Sequence, residues 1–111
     1  MSELNTIDWI LRYTVGFYYK TPEWKEKMFN YIINHFSKEE IEYARNGRFE
    51  SCIQIKNGAH IRFLRADGSS RGYKFNQIIY EPGVSDEIYD MFYYNTIARP
   101  IEVRIEEIND R

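Results

Sequence analysis

In residues 48–84, RFESCIQIKNGAHIRFLRADGSSRGYKFNQIIYEPGV, the hydrophobic pattern has a period of two. Phe49, Ser51, Ile53 and Ile55 alternate with Glu50, Cys52, Gln54 and Lys56, which predicts a strand. Asn57-Gly58 is suited to a tight type I′ turn, so a second strand should return antiparallel with Ile61 and Phe63 on one face and Arg62 and Leu64 on the other. Asp67-Gly68-Ser69-Ser70 marks another turn, after which Tyr73 to Tyr80 reads as a third strand, with Phe75 and Ile79 on one face and Ile78 and Tyr80 on the other. Neighbouring apolar residues at Ile78 and Ile79 predict cover on both sides of that strand. The connection from Asp67 to Gly72 is short for a parallel crossover, so an antiparallel or sharply bent meander is expected.

Outward from this region the period lengthens to that of a helix. Ile7, Ile10, Leu11, Thr14 and Phe17 or Tyr18 predict a first helix from about Asn5 to Tyr19. Thr21-Pro22 starts a second, because Thr is a good N-cap and Pro suits the first helical position; Trp24, Met28, Tyr31, Ile32 and Phe36 form its apolar stripe. Ser37 with Glu40 three residues later is a capping-box pattern for a short third helix through about Arg45, stopped by Asn46-Gly47. Beyond Pro82-Gly83, Ser85 can cap a helix to about Ile97, and after Arg99-Pro100 the alternation of Ile101, Val103 and Ile105 with Glu102, Arg104 and Glu106 predicts a last strand. The expected fold is α+β, three N-terminal helices packed on a four-stranded sheet containing an antiparallel hairpin, in the order αααβββαβ.

The 111 residues suit a single domain, and ten Tyr and seven Phe predict a core rich in ring packing. Net charge is only -2, which excludes a uniformly basic nucleic-acid binder. The charge is nevertheless split: residues 48–81 are net positive and residues 82–111 net acidic. Cys52 is the sole cysteine, so neither an internal disulfide nor a cysteine-rich zinc site can form, and a reducing cytoplasmic setting is expected. Asp8 and Arg12 interrupt the N-terminal apolar residues, and no run approaches the roughly 18–20 apolar residues of a membrane span.

Asn57-Gly58-Ala59, Arg71-Gly72 and the apolar strand Ile78-Ile79-Tyr80 ending at Glu81-Pro82 carry a resemblance. Within residues 49–97 this pattern resembles the hairpin, Arg-Gly pair and acid-terminated strand of phage DNA-packaging terminase ATPases. The resemblance implies Glu81 at the magnesium position and Pro82 at the position of the residue that orients the attacking water. Proline has no side-chain proton acceptor and cannot act there as a base. The loop GxxxxGK[ST], which holds triphosphate, occurs nowhere in the chain, so ATP hydrolysis is not expected.

Arg62, Arg65, Arg71 and Lys74 interleave with Phe63, Tyr73 and Phe75, a composition that neutralises phosphate and stacks bases on single-stranded nucleic acid. The simpler interpretation is core aromatics with solvated edge charges. Residues Phe92-Tyr93-Tyr94 point about 100° apart on a helix and cannot all be buried. Tyr89, Tyr93 and Tyr94, with Asp86 and Asp90, are therefore the candidate protein interface. His35 and His60 lack metal-ligand spacing, and Cys52 lacks the flanking pattern of a nucleophile; all three read as structural. No catalytic residue, metal or cofactor is expected. The favoured function is a small non-enzymatic phage or mobile-element protein that binds a protein partner, an inhibitor of a host or defence enzyme in the host cytoplasm. The alternatives are a nucleic-acid-binding accessory factor and a degenerate terminase-like ATPase remnant.

Overall fold

The computed structural model describes residues 14–47, 51–66, 75–84 and 101–105. Its elements are β1 (Thr14–Tyr19), α1 (Pro22–His35), β2 (Ile41–Asn46), β3 (Ser51–Ile55), β4 (His60–Arg65), β5 (Gln77–Tyr80) and β6 (Ile101–Glu102). The strands form one six-stranded mixed sheet in the order β2-β3-β4-β1-β5-β6. Only β3 runs against its neighbours; β1 pairs parallel to β4 and β5, and β5 parallel to β6. Among the described residues, one helix and a six-stranded sheet replace the expected three helices on four strands in the order αααβββαβ. The proposed helix from Ser85 to Ile97 and the residues before Thr14 lie outside the described residues.

Where they are described, two of the expected helices give way to strands. Thr14–Tyr19 contains β-branched and aromatic side chains, and Val15, Gly16, Phe17 and Tyr18 are all buried. Burial of successive residues needs cover on both faces, which a central strand has and an amphipathic helix lacks. Ile41–Asn46 contains good helix formers, yet it pairs antiparallel with β3, so tertiary pairing overrides a weak local propensity. The capping-box residues do interact, with Ser37 N–H donating to Glu40 Oε1 at 2.9 Å. That bond closes a turn in which Glu40 and Ile41 donate back to Ser37 and Lys38, and the ladder begins when Lys56 N–H donates to Glu40 O at 2.8 Å.

The expected second helix forms. Thr21 Oγ1 accepts from Trp24 N–H at 3.3 Å, and Pro22 occupies the first position where its missing N–H has no partner to lose. Trp24, Met28, Phe29, Tyr31 and Ile32 bury one stripe of α1 against Phe17 on β1 and Phe63 on β4. Phe17 and Phe63 stack with centroids 4.9 Å apart, and Phe29 lies 5.7 Å from Phe63. On the opposite face a smaller cluster joins Tyr18, Phe75 and Ile78. Phe75 thus shares a face with Ile78, where strand alternation had paired it with Ile79.

The β3–β4 hairpin forms by a different turn from the one its Asn-Gly pair suggests. A type I′ turn needs positive φ at both central residues, whereas only Gly58 has it, at 100°. Gly58 N–H donates to Ile55 O and Ile55 N–H to Ala59 O, the pattern of a three-residue loop with a left-handed glycine at its end. Asn57 Oδ1 accepts from Ala59 N–H at 2.8 Å and fixes the turn from its side chain. The expected antiparallel meander after β4 is also overturned: β5 lies on the far side of β1 and parallel to it. Residues 66–76 therefore carry the chain past β1, a span close to the minimum for a parallel crossover.

Candidate functional site

Five strands, all but β3, end at one edge of the sheet, and in open α/β sheets this carboxyl edge is where ligands are usually held. There β1 runs through Lys20 directly into the Thr21 cap of α1, and β5 beside it ends at Glu81. Glu81 N–H donates to Tyr18 O at 3.0 Å, which extends the β1–β5 ladder and turns the carboxylate toward the start of α1. Glu81 Oε1 accepts from Lys20 N–H at 2.9 Å and Thr21 N–H at 3.0 Å; Oε2 accepts from the Thr21 hydroxyl at 3.0 Å. The residue is 8% exposed. Its negative charge also sits favourably at the positive end of the helix dipole.

Four amides at the entry to α1 bond within the chain. Lys20 and Thr21 donate to Glu81, Pro22 has no N–H, Trp24 donates to Thr21 Oγ1 and Lys25 to Thr21 O. Helix N-termini bind phosphate through free amides, and here a carboxylate takes the two that lead into the helix, those of Lys20 and Thr21. Lys20 Nζ points away to Gly83 O at 3.1 Å. Beside Glu81 lies an open cleft of about 250 Å³ lined by Trp24, Glu81, Pro82, Arg104 and Ile105. Its floor is tied down by Trp24 Nε1–H donating to Val103 O at 2.7 Å and by Val103 N–H donating to Tyr80 O at 3.0 Å. Arg104 is exposed and 3.8 Å from Glu102.

The residues singled out from sequence are scattered. Arg62 is half-buried on the sheet face away from α1, in register with Cys52 and Gly16. Arg65 is exposed at the end of β4 beside Tyr19 and, by strand alternation, points to the other face. These two do not form a common basic patch. Arg71 and Lys74 lie outside the described residues, as do Tyr89, Tyr93, Tyr94, Asp86 and Asp90. Cys52 is a buried thiol. Among the described residues no three His, Cys, Asp or Glu side chains converge as a metal site, and no helix is long and apolar enough to cross a membrane. Lys20, Thr21, Trp24 and Arg104 were not anticipated at the Glu81 edge; Thr21 stood out only as a helix cap.

His60 supplies a pH dependence. Its Nε2 is buried without a hydrogen-bond partner among the described residues. Burial, and secondarily the Arg62 charge, hold its pKa below the ordinary 6.5. The fold therefore favours neutral imidazole. The stability this contributes is present above pH 6.5 and is lost as pH falls through the lower folded-state value. Urea midpoints measured downward from pH 6.5 should decline, and His60→Gln should flatten that part of the profile; an unchanged slope in the variant would assign the decline elsewhere.

No family model, curated protein or solved structure matches the chain.

Proposed function

We infer that this protein is a non-catalytic binding protein that acts through contact with another protein. One observation carries the non-catalytic part: Glu81, the acid at the end of the strand beside α1, has both carboxylate oxygens engaged by Lys20 and Thr21. A general base or metal ligand needs lone pairs directed at substrate or ion; of the roughly four lone-pair positions of Glu81 three are taken, and the carboxylate also takes the Lys20 and Thr21 amides. Support for protein contact comes from β2, an edge strand whose last five residues are exposed and which carries Tyr43, the exposed large hydrophobic residue among those described. The finer reading, a phage or mobile-element inhibitor of a host or defence enzyme in the cytoplasm, rests on the small size of the chain and on its ATPase-like segment without a phosphate loop.

A second reading, a degenerate terminase-like ATPase remnant, is favoured by the order of elements at this edge. β1 leads through Lys20-Thr21 into α1, and the Thr21 hydroxyl bonds the acid ending the neighbouring strand. A phosphate loop has the same order of strand, Lys-Thr and helix, and its hydroxyl shares magnesium with an acid from the next strand. The glycine-rich cradle before the Lys is missing here, so on this reading the site has closed on itself. The nucleic-acid alternative gains nothing from Arg62 and Arg65, which face opposite ways.

Thermal unfolding with and without Mg-ATP or Mg-ADP tests the absence of a nucleotide site. The expected result is an unchanged Tm, because a ligand that binds the native state raises it by mass action. A saturable rise would sink the non-catalytic reading. Affinity capture from a host lysate tests protein contact; recovery of nothing specific at modest salt would count against it.

A further inference from the structure

Strand β2 ends the sheet, and its outer edge has no partner strand among the described residues. The phase of the ladder identifies which main-chain groups it presents. Ile55 N–H bonds Ala59 O across the hairpin, so alternation directs Ser51, Ile53 and Ile55 toward β4 and Cys52 and Gln54 toward β2. Cys52 and Gln54 are in register with Arg45 and Tyr43. It follows that Tyr43 and Arg45 bond β3, while Ala44 and Asn46 turn their N–H and C=O outward. The side chain of Asn46 is held over the α1 face by Glu26 Oε2, to which Nδ2 donates at 3.1 Å, and by Ser51 Oγ, which donates to Oδ1 at 3.2 Å.

We propose that β2 pairs antiparallel with β2 of a second copy of this chain, about a two-fold axis through Ala44. An antiparallel pair places side chains on the same face opposite each other, so only registers that match like faces are allowed. Centring on Ala44 puts Ala44 opposite its own copy and Tyr43 opposite Arg45 of the partner copy. The outward groups of Ala44 meet those of its copy, and the small Ala44 side chains leave the centre unobstructed. The Tyr43–Arg45 pairs fall at positions without mutual hydrogen bonds, where side chains approach most closely, and each places a guanidinium by an aromatic ring. Centring on Tyr43 instead would set Arg45 against Ile41, across the bulge.

The charges and the bulge between Ile41 and Tyr43 are devices that keep edge strands from joining unrelated chains. In the Ala44 register the guanidinium meets an aromatic ring, and the bulge at Glu42 limits regular pairing to Tyr43 through Arg45. This inference goes beyond the protein-contact reading, because the contact it describes joins two copies of the same chain.

Sedimentation equilibrium of the full chain should show a reversible monomer–dimer equilibrium. Ala44→Pro should abolish the dimer without altering the circular dichroism spectrum, because the lost N–H points outward and proline is tolerated on such an edge. Arg45→Glu should weaken the dimer. Cysteine pairing reads the register directly: Ala44→Cys should oxidise to a linked dimer, since Cα atoms about 5.5 Å apart can be bridged. Tyr43→Cys and Arg45→Cys should link to each other when mixed and far less when alone, with buried Cys52 as the unreactive reference. A monomer at every concentration, or a dimer that survives Ala44→Pro, overturns the proposal. If the chain is monomeric while Ala44→Pro abolishes capture of a foreign protein, self-pairing is rejected and the protein-contact reading stands. A dimer of this register with no captured foreign protein supports self-pairing and rejects contact with another protein species.

Discussion

Glu81→Ala should lower the unfolding free energy by about 2–4 kcal/mol, because it strands two backbone N–H groups and a hydroxyl that now share a carboxylate. The donors belong to the segment joining β1 to α1, so the loss strikes where the central strand meets the only described helix. A fall in Tm on the order of 10 °C follows for a domain of this size. Glu81→Gln should cost less, on the order of 1 kcal/mol, since its carbonyl can still accept from Lys20 and Thr21 while its amide and the Thr21 hydroxyl reorient. Formate should recover part of the stability of Glu81→Ala and none in the unsubstituted protein. A loss under about 0.5 kcal/mol in urea titration would mean that the carboxylate does not hold this junction.

Gly16→Val should cost about 3 kcal/mol or more through overpacking on the other face of β1. A Cβ at Gly16 would lie 2.6, 2.7 and 2.9 Å from Cε2, Cδ2 and Cζ of Phe75. The Phe75 ring cannot retreat freely, because it is 6% exposed and packs edge-on against Tyr18 at 6.4 Å. β1 is bonded on both sides, so the backbone has little room to shift instead. Phe75→Ala removes the obstructing ring, and the double variant should be more stable than the sum of the two single losses implies. Strict additivity in that cycle would show that the ring is not the obstacle.

The Gly16–Phe75 contact illustrates how the two levels of structure divide. In sequence Gly16 falls within the expected first helix and Phe75 within a later strand; nothing local says that one leaves room for the other. Glu81 is similar. Its place at the end of an apolar strand was visible, and its lack of a catalytic neighbour followed from Pro82, but its partners Lys20 and Thr21 are sixty residues away. Thr21 was recognisable as a cap because its bond to Trp24 N–H is local. Its second bond, to Glu81, depends on β5 settling beside β1. Among the proposed site residues, Arg62 and Arg65 alternate faces as a strand requires, and that alternation separates them.

Features that depend on near neighbours were determined by the amino-acid sequence itself. They include α1, set by Thr21-Pro22 and its apolar stripe, the β3–β4 hairpin, set by Asn57-Gly58, and the double-sided burial of Ile78 and Ile79. Even there, the type of turn followed from Gly58 alone adopting positive φ. Tertiary structure decided whether Thr14–Tyr19 and Ile41–Asn46 became strands, because helix and strand differ little in local free energy for such short segments and β-pairing tips the balance. It also decided that β5 lies parallel beside β1, which is what brings the Glu81 carboxylate onto the amides at the start of α1. Hydrogen bonds between residues distant in sequence exist only after the sheet order is chosen, and that choice rests on burying both faces of β1.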